Sequence, residues 1–142
     1  MTEQSVTQQQ VLVVDDEPGI LAKVSLLLAS SDISHVVTLS DSRRVLPYLR
    51  ENQVSAVVVD WVMPEVTGGE LLQRITADYP QIPVIVMTAM GDVETAVSCM
   101  RAGAFDFLTK PVDPNRLVAS VRKALQVSQL RPLAITCSAP PV

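Results

Sequence analysis

Five short apolar runs divide the chain, and each is followed by a longer stretch in which apolar residues recur every three or four positions. Short runs of β-branched and aliphatic residues predict strands, and the longer stretches predict amphipathic helices. The predicted strands are Val11–Asp15, Ser34–Thr38, Ser55–Asp60, Pro83–Met87 and Ala104–Leu108. Three of these runs are apolar nearly throughout, which is typical of parallel strands covered on both faces. The alternation therefore predicts a doubly wound α/β domain.

Local signals mark where several helices begin. Pro18 stands where a first helical turn would start, and the stretch TGGE at 67–70 has the spacing of a capping box. The pair Asp113-Pro114 opens the last predicted helix. These signals support the division of the chain into five strand–helix units.

Two helical segments carry more specific expectations. Segment 41–51 contains Pro47, and a proline inside a helix removes a hydrogen bond at a cost of ~3 kcal/mol. That helix is therefore expected to be kinked or to start late. Segment 91–102 is expected to turn one apolar face to the sheet. The residues of that face are Val93, Ala96, Val97 and Met100.

Composition narrows the class of protein. The chain has 142 residues, of which 48% are hydrophobic and 18% charged, as expected for one compact globular domain. A formal net charge of −4 argues against nucleic acid as a direct partner, since no basic stripe is present to neutralise phosphates. No apolar run approaches the ~20 residues of a membrane span, and the polar start does not resemble a signal peptide.

Cysteine usage and the ends of the chain complete this outline. Cys99 and Cys137 lack CxxC spacing and are expected to be free thiols in a reducing compartment, so the domain is expected to be cytoplasmic, with no membrane partner. The domain is predicted over residues 10–126. Residues 1–9 are expected to be disordered or extended, and residues 127–142 to form a tail or the start of a linker.

Polar residues stand where the apolar runs end. Asp15 and Asp16 close the first run, Asp60 closes the third, Thr88 follows the fourth and Lys110 follows the fifth. Each alone has a simpler structural explanation, as a cap of a helix or turn or as a solvated loop residue. In a parallel sheet, however, the carboxyl ends of the strands share one edge, where such folds bind ligands. The five residues are therefore expected to form one site.

Clustered carboxylates require a compensating cation. Two like charges 4 Å apart repel by about 4 kcal/mol at an effective dielectric constant of 20. Because the candidate ligands are hard oxygens, Mg²⁺ is the expected ion, with Mn²⁺ as the alternative. Lys110 would add a second positive charge, which makes the pocket suitable for a phosphoryl group. Asp60, on the middle of the strands bordering the pocket, is the expected nucleophile, since carboxylates form aspartyl-phosphate intermediates.

The motifs in this order resemble the receiver domains of bacterial two-component response regulators. The resemblance rests on VVDDE at 13–17, the D-x-x-M-P motif that begins at Asp60, with Gly68 after it, Thr88-Ala89, and GAFDFLTKP at 103–111. It covers roughly residues 10–126. It implies a flavodoxin-like five-stranded parallel sheet of order 2-1-3-4-5 with five flanking helices, an arrangement already known for receivers.

The resemblance also implies roles for individual residues. Asp16 and Asp60 would ligate Mg²⁺ directly, Asp15 through water, and the backbone carbonyl of Val62 would complete the protein ligands. The backbone N–H of Ala89, with Thr88 and Lys110, would contact the phosphoryl group. The Lys110–Pro111 peptide bond would be cis. Thr88 would move toward the phosphoryl group on phosphorylation, and Phe107 would rotate into the space it leaves.

The partners implied by the resemblance are of two kinds. A sensor histidine kinase or a phosphotransfer protein would phosphorylate Asp60, and a downstream effector domain or protein would respond to the change in the surface of helix four, strand five and helix five. The same surface is a candidate for a weak homodimer. The domain would not be an enzyme, beyond catalysing its own phosphoryl transfer and dephosphorylation.

Two other functions remain open on the sequence alone. A phosphatase of the haloacid-dehalogenase type also uses an aspartyl nucleophile, Mg²⁺, Thr and Lys. Such enzymes place a second Asp two residues after the nucleophile, where this chain has Val62. The other alternative is a receiver-like binding module that works without phosphorylation, although such modules usually lose one of the acidic residues or the lysine.

Overall fold

One five-stranded sheet lies at the centre of the computed structural model, which describes residues 9–33, 35–89 and 91–129. The strands are β1 (Val11–Val14), β2 (Val36–Leu39), β3 (Ala56–Asp60), β4 (Val84–Thr88) and β5 (Asp106–Thr109). All neighbouring strands pair in parallel, and their order across the sheet is β2-β1-β3-β4-β5. The α/β class and the strand order expected from the sequence are confirmed.

Helices cover both faces of the sheet. They are α1 (Pro18–Ala29), α2 (Val45–Glu51), α3 (Gly68–Asp78), α4 (Val93–Arg101) and α5 (Pro114–Gln129), and a 3-10 helix over Ser42–Arg44 precedes α2. Buried residues of α1 and α5 pack on one face of the sheet, and buried residues of α2, α3 and α4 pack on the other. Among the described residues, no helix combines the length and the apolar character needed to cross a membrane.

The central strands explain why the runs are apolar on both sides. Every residue of β1, β3 and β4 is buried, because successive side chains point to opposite faces and each face is covered by helices. Val11 and Val13 contribute to the core shared with α1 and α5, whereas Leu12 and Val14 contribute to the other core. Two separate cores therefore hold the carboxyl ends of the strands in fixed register.

The helix signals in the sequence are confirmed where they can be compared. Pro18 is the first residue of α1. A capping box opens α3, since the Glu70 amide donates to Thr67 Oγ1 (3.2 Å) and the Thr67 amide donates to Glu70 Oε1 (3.1 Å). Pro47 is the third residue of α2, where amide groups have no partner within the helix, so the helix starts late as expected.

The expected orientation of α4 is wrong. Val93, Val97 and Met100 are exposed (77, 43 and 50%), and the side chain that α4 buries is Cys99. Cys99 and Ala104, which are joined by a hydrogen bond from the Ala104 amide to the Cys99 carbonyl (3.1 Å), both pack into the core that includes α2 and α3, and this places the Cys99 side of the helix against the sheet. Gly103, at φ +104°, supplies the left-handed conformation of the turn that ends the helix.

The two ends of the described chain meet at the amino end of the sheet. Gln9 Nε2 donates a hydrogen bond to the Leu125 carbonyl (2.9 Å), and α5 continues to Gln129, past residue 126. Residues 1–8 and 130–142 of the expected flanking segments lie outside the described residues, as does Cys137.

Candidate functional site

The carboxyl ends of the strands bring the predicted acidic residues together. Asp60 is the last residue of β3, and Asp15 and Asp16 follow β1 directly. One carboxylate oxygen from each of these three residues can be chosen so that all lie within 4.8 Å of one another. Asp15 and Asp60 are buried, whereas Asp16 is exposed at the mouth of the site. We call Asp15, Asp16, Asp60 and Lys110 the acid pocket.

Lys110 links two of the acids. Its Nζ lies 2.8 Å from Asp15 Oδ2 and 3.3 Å from Asp60 Oδ2, and its side chain is 15% exposed. The backbone fixes its position, because the Lys110 amide donates to the Thr88 carbonyl (2.8 Å) at the end of β4. A single lysine therefore faces several negative charges inside a largely buried site.

The environment of the pocket changes the protonation of its groups. Burial raises the pKa of Asp60 above its ordinary value of 3.8, the charge of Asp15 adds to this rise, and Lys110 opposes it. Burial alone would lower the pKa of Lys110, but its hydrogen bond to Asp15 and the charge of Asp60 raise it. The pocket therefore disfavours charge on Asp60 and favours charge on the lysine, as expected where negative charge is in excess.

The simpler explanation of Asp15 and Asp16, as caps of α1, does not hold for Asp16. The N-cap of α1 is Glu17, and no side chain makes a capping hydrogen bond there. Asp15 Oδ1 accepts from the Glu17 amide (2.9 Å), so this hydrogen bond and Lys110 together orient the carboxylate of Asp15 in the pocket. Glu17 Oε1 lies 4.0 Å from Lys110 Nζ, a contact that no pattern in the sequence indicated.

The other predicted site residues surround the pocket. Thr88 is fully buried, and Ala89 after it is exposed. Phe107 is half-buried against the core that includes α4, and the Lys110–Pro111 peptide bond is cis. The Val62 side chain points to solvent, while its backbone amide donates to the Asp60 carboxylate and so works against the rise in the pKa of that group.

The loop between β3 and α3 folds closely over Asp60. The Gly68 amide donates to the Trp61 carbonyl (3.0 Å), and a Cβ at position 68 would lie 2.3 Å from the Asp60 carbonyl oxygen. Only glycine fits at this approach, which gives the spacing between Asp60 and Gly68 a physical reason. Ser42 also contacts this loop, and no signal in the sequence marked it, because it lies within an apparently helical stretch.

The residues of the acid pocket fit a hard divalent cation. Three carboxylates supply oxygen ligands, and their mutual repulsion is relieved when a cation lies between them. No histidine or cysteine belongs to this group among the described residues, so the donor set favours Mg²⁺ or Mn²⁺ over softer metals.

Comparison with known proteins places this chain in a family. The model of the response regulator receiver domain matches residues 11–122. The transcriptional regulatory protein DctD of Pseudomonas aeruginosa, named for C4-dicarboxylate transport, is 39% identical over 123 residues, which are 87% of this chain. The transcriptional regulatory protein GlrR of Escherichia coli is 39% identical over 118 residues, or 83% of this chain. The aligned region is 26% of either relative, so the chain spans about a quarter of their length.

Solved structures agree with the sequence comparison. A response regulator receiver domain protein from Clostridium thermocellum has a TM-score of 0.77 and 32% identity, over 86% of this chain and 98% of that one. The receiver domain of NtrC4, solved as a beryllofluoride-activated dimer, has a TM-score of 0.78 and 32% identity, over 84% of this chain and 98% of that one. The likeness covers these receiver domains almost completely.

Proposed function

The chain belongs to the response regulator receiver domains, the signalling domains of two-component systems, and we propose that Asp60 is its phosphoacceptor. The phosphoryl donor would be a sensor histidine kinase or a phosphotransfer protein. A carboxylate oxygen of Asp60 would form the new bond to phosphorus while the bond from phosphorus to the donor breaks, and the donor would keep the electron pair. The observation that carries this proposal is the convergence of three carboxylates, two of which, Asp15 and Asp60, are paired with Lys110.

The neighbours of Asp60 are suited to hold the transferred group. Lys110 Nζ, 3.3 Å from Asp60 Oδ2, would neutralise phosphoryl oxygens, and the Thr88 hydroxyl and the Ala89 backbone amide would donate hydrogen bonds to them. Thr88 ends β4 beside Asp60 on β3, which supports this assignment.

A divalent ion completes the proposed site. Asp15, Asp16, Asp60 and the Val62 carbonyl oxygen would hold Mg²⁺ or Mn²⁺, which would supply positive charge next to the oxygens of the incoming group. Asp15 would act through water. The excess of carboxylates over lysine in the pocket is the physical reason to expect this ion.

Labelling with acetyl phosphate tests both parts of the proposal. We expect the wild-type chain to gain one phosphoryl group, measured by intact mass, with Mg²⁺ and not with EDTA, and Asp60→Asn to gain none. Asp78→Asn removes an equal charge from the exposed end of α3 and is the matched control, which should label normally. Labelling of Asp60→Asn at the wild-type rate would overturn the assignment of Asp60, and equal labelling in EDTA would overturn the metal requirement.

The output surface is proposed from exposed apolar residues. Val93, Val97 and Met100 form a solvent-exposed stripe on α4, next to β5, which carries the proposed switch residue Phe107. Movement of Thr88 and Phe107 on phosphorylation would change this α4-β5-α5 surface. An effector domain or protein would then bind it, or a second copy of the chain would form a weak dimer, since the NtrC4 receiver was solved as an activated dimer.

Sedimentation tests the dimer separately from the chemistry. With beryllofluoride and Mg²⁺, we expect a concentration-dependent dimer that Val97→Glu prevents. Leu26→Glu, at an exposed apolar position on α1, is the matched control and should still dimerise. A monomer at all concentrations would remove the dimer from the proposal.

The phosphatase alternative has no support in the structure. Val62 stands where such enzymes need a second acid, and its side chain is 58% exposed and carries no ionisable group. The matched family is that of receiver domains. We therefore expect no multiple turnover of p-nitrophenyl phosphate.

The other alternative, a binding module that works without phosphorylation, is tested by the labelling experiment. Such a module would show no labelling of Asp60, whereas the proposed function requires it. The cytoplasmic location stays a prediction from the sequence.

A further inference from the structure

Ser42 makes two long-range hydrogen bonds that the proposed chemistry does not use. Its hydroxyl donates to the Pro64 carbonyl (3.0 Å) and accepts from the Val66 amide (3.1 Å). The residue is 4% exposed, so water has little access to compete with either hydrogen bond. One buried hydroxyl therefore joins the segment after β2 to the loop after β3, across more than twenty residues of sequence.

The short helix that carries Ser42 is itself held in place. Asp41 Oδ1 accepts from the backbone amide of Arg43 (3.0 Å), and its two carboxylate oxygens also pair with the Arg43 guanidinium. This arrangement caps the 3-10 helix and fixes Ser42 between the two charged residues. The hydroxyl therefore contacts the loop from a defined position.

The loop that Ser42 holds contains a strained residue. Glu65, between Pro64 and Val66, has φ +70°, in the left-handed region that residues other than glycine rarely adopt. The Ser42 hydrogen bonds flank this residue on both sides. Loss of these two bonds would therefore make it easier for Glu65 to relax to a more favourable conformation.

The same loop leads directly from the acid pocket. Residues 61–67 connect Asp60 to α3, and the Val62 amide donates to the Asp60 carboxylate. Ser42, Pro64, Glu65 and Asp16 line a common cleft of about 260 Å³, which places the Ser42 contact beside the exposed metal-binding candidate. A change in loop shape would therefore alter the position of Val62 relative to Asp60.

We propose that Ser42 is a positioning residue for the acid pocket, because its hydroxyl fixes the loop 61–67 in the shape that directs the backbone of Val62 to the site. This inference rests on the proposed function, since it assigns Ser42 to the support of the cation site. Contacts that orient metal ligands commonly change metal affinity by about 10- to 100-fold when they are removed.

The first experiment compares Ser42→Ala with Ser120→Ala. Ser120 is also buried, at 3%, and its hydroxyl donates to Asp106 Oδ2 (2.7 Å) on β5, outside the acid pocket. Both variants lose a buried hydroxyl, so both should lose stability. We expect only Ser42→Ala to weaken Mg²⁺ binding, by about tenfold, followed by the fluorescence of Trp61, the single tryptophan of the chain. In the metal-free protein, we also expect the Val66 amide hydrogen to exchange faster in Ser42→Ala than in the wild type, with the amides of the sheet as the internal reference.

A second substitution tests the route through the loop. Glycine adopts φ +70° at little cost, so Glu65→Gly should favour the required loop shape without the serine. In the Ser42→Ala background we expect Glu65→Gly to recover part of the lost Mg²⁺ affinity. Recovery would support positioning through the loop, and a further loss would contradict it.

The outcomes separate this inference from the proposed function. If the wild-type chain binds Mg²⁺ and labels Asp60, but Ser42→Ala has an unchanged Mg²⁺ affinity and an unchanged Val66 exchange rate, the role of Ser42 is overturned and the proposed function stands. Equal losses of Mg²⁺ affinity in Ser42→Ala and Ser120→Ala would also overturn the role of Ser42, because they would show that any loss of stability weakens Mg²⁺ binding. If the wild-type chain neither binds Mg²⁺ nor labels, the proposed function itself fails.

Discussion

Two polar clusters near β5, one with three carboxylates and one with a single carboxylate, show that an aspartate can have different roles in the same fold. In the acid pocket, Asp15, Asp16 and Asp60 lie together with one lysine, which pairs with Asp15 and Asp60, so negative charge exceeds positive charge. At the start of β5, Asp106 stands alone among three donors: the Ser120 hydroxyl (2.7 Å), the Phe107 amide (2.8 Å) and the Arg116 guanidinium (3.2 Å). The second cluster is satisfied within the chain, whereas the first has more carboxylates than the lysine can pair.

This difference distinguishes a structural cluster from a binding site. A carboxylate with its donors in place joins two elements, here β5 and α5, and needs nothing further. Carboxylates that have too few hydrogen-bond donors around them retain an affinity for cations. In the acid pocket, such carboxylates stay close together because the two hydrophobic cores fix the ends of the strands that carry them. The following substitutions test this contrast in order of expected effect.

Removing the lysine should have the largest effect. Lys110→Met leaves Asp15, which is fully buried, and Asp60 without their cation, and breaking a buried pair in this way costs about 3 kcal/mol or more. We expect urea unfolding of the metal-free variant at neutral pH to show this loss, and added Mg²⁺ to restore more stability than it adds to the wild type. An unchanged unfolding midpoint would mean that the pocket is not short of positive charge.

Removing the satisfied carboxylate should have the next largest effect. Asp106→Ala leaves the buried Ser120 hydroxyl and the Phe107 amide without an acceptor, and we expect a loss of about 2 kcal/mol in the free energy of unfolding. Labelling of Asp60 by acetyl phosphate should continue at a rate near that of the wild type. Loss of labelling in a folded variant would remove the distinction between the two clusters.

Neutralising Asp60 should have a smaller effect of opposite sign. Because burial and Asp15 raise the pKa of Asp60, the folded state disfavours its charged form, so Asp60→Asn should stabilise the metal-free protein at pH 7, by less than Asp106→Ala destabilises it. The gain should shrink as the pH falls through the raised pKa toward 3.8, where wild-type Asp60 is increasingly protonated in both states. Thermal unfolding in EDTA at several pH values measures this, and destabilisation at pH 7 would contradict it.

Removing the exposed arginine should have the smallest effect. The Arg116 side chain is 57% exposed in its pair with Asp106, and solvent screens such pairs strongly. We expect Arg116→Gln to change the free energy of unfolding by less than about 0.5 kcal/mol. A loss comparable to that of Asp106→Ala would show that the arginine, and not the hydroxyl and amide, satisfies the second cluster.

The sequence predicted most of the frame because its signals were local. Apolar runs gave the strands, and the cost of a proline inside a helix gave the late start of α2, at Val45. The parallel sheet brought Asp15, Asp60 and Lys110 to one edge. Assignment of the individual ligands rested instead on resemblance to a family.

Features that depend on tertiary contacts were not predictable in this way. The apolar residues Val93, Val97 and Met100 of α4 are exposed, because the packing of Cys99 into the core with residues of α2, α3 and the sheet decides which side of the helix faces inward. Ser42 carries no motif, because its role depends on where the loop after β3 passes in space. Periodicity reports that a helix is amphipathic, but long-range contacts set its rotation and select which polar residues meet.

The hydrogen bond from Gln9 to the Leu125 carbonyl has a practical consequence for engineering this domain. Because it brings the two ends of the fold side by side, a short peptide joining them should yield circular permutants with new termini in surface loops. Reporter proteins joined directly at Gln9 or at the end of α5 would lie at the amino end of the sheet, opposite Asp60, so they should leave the access of a phosphodonor unobstructed.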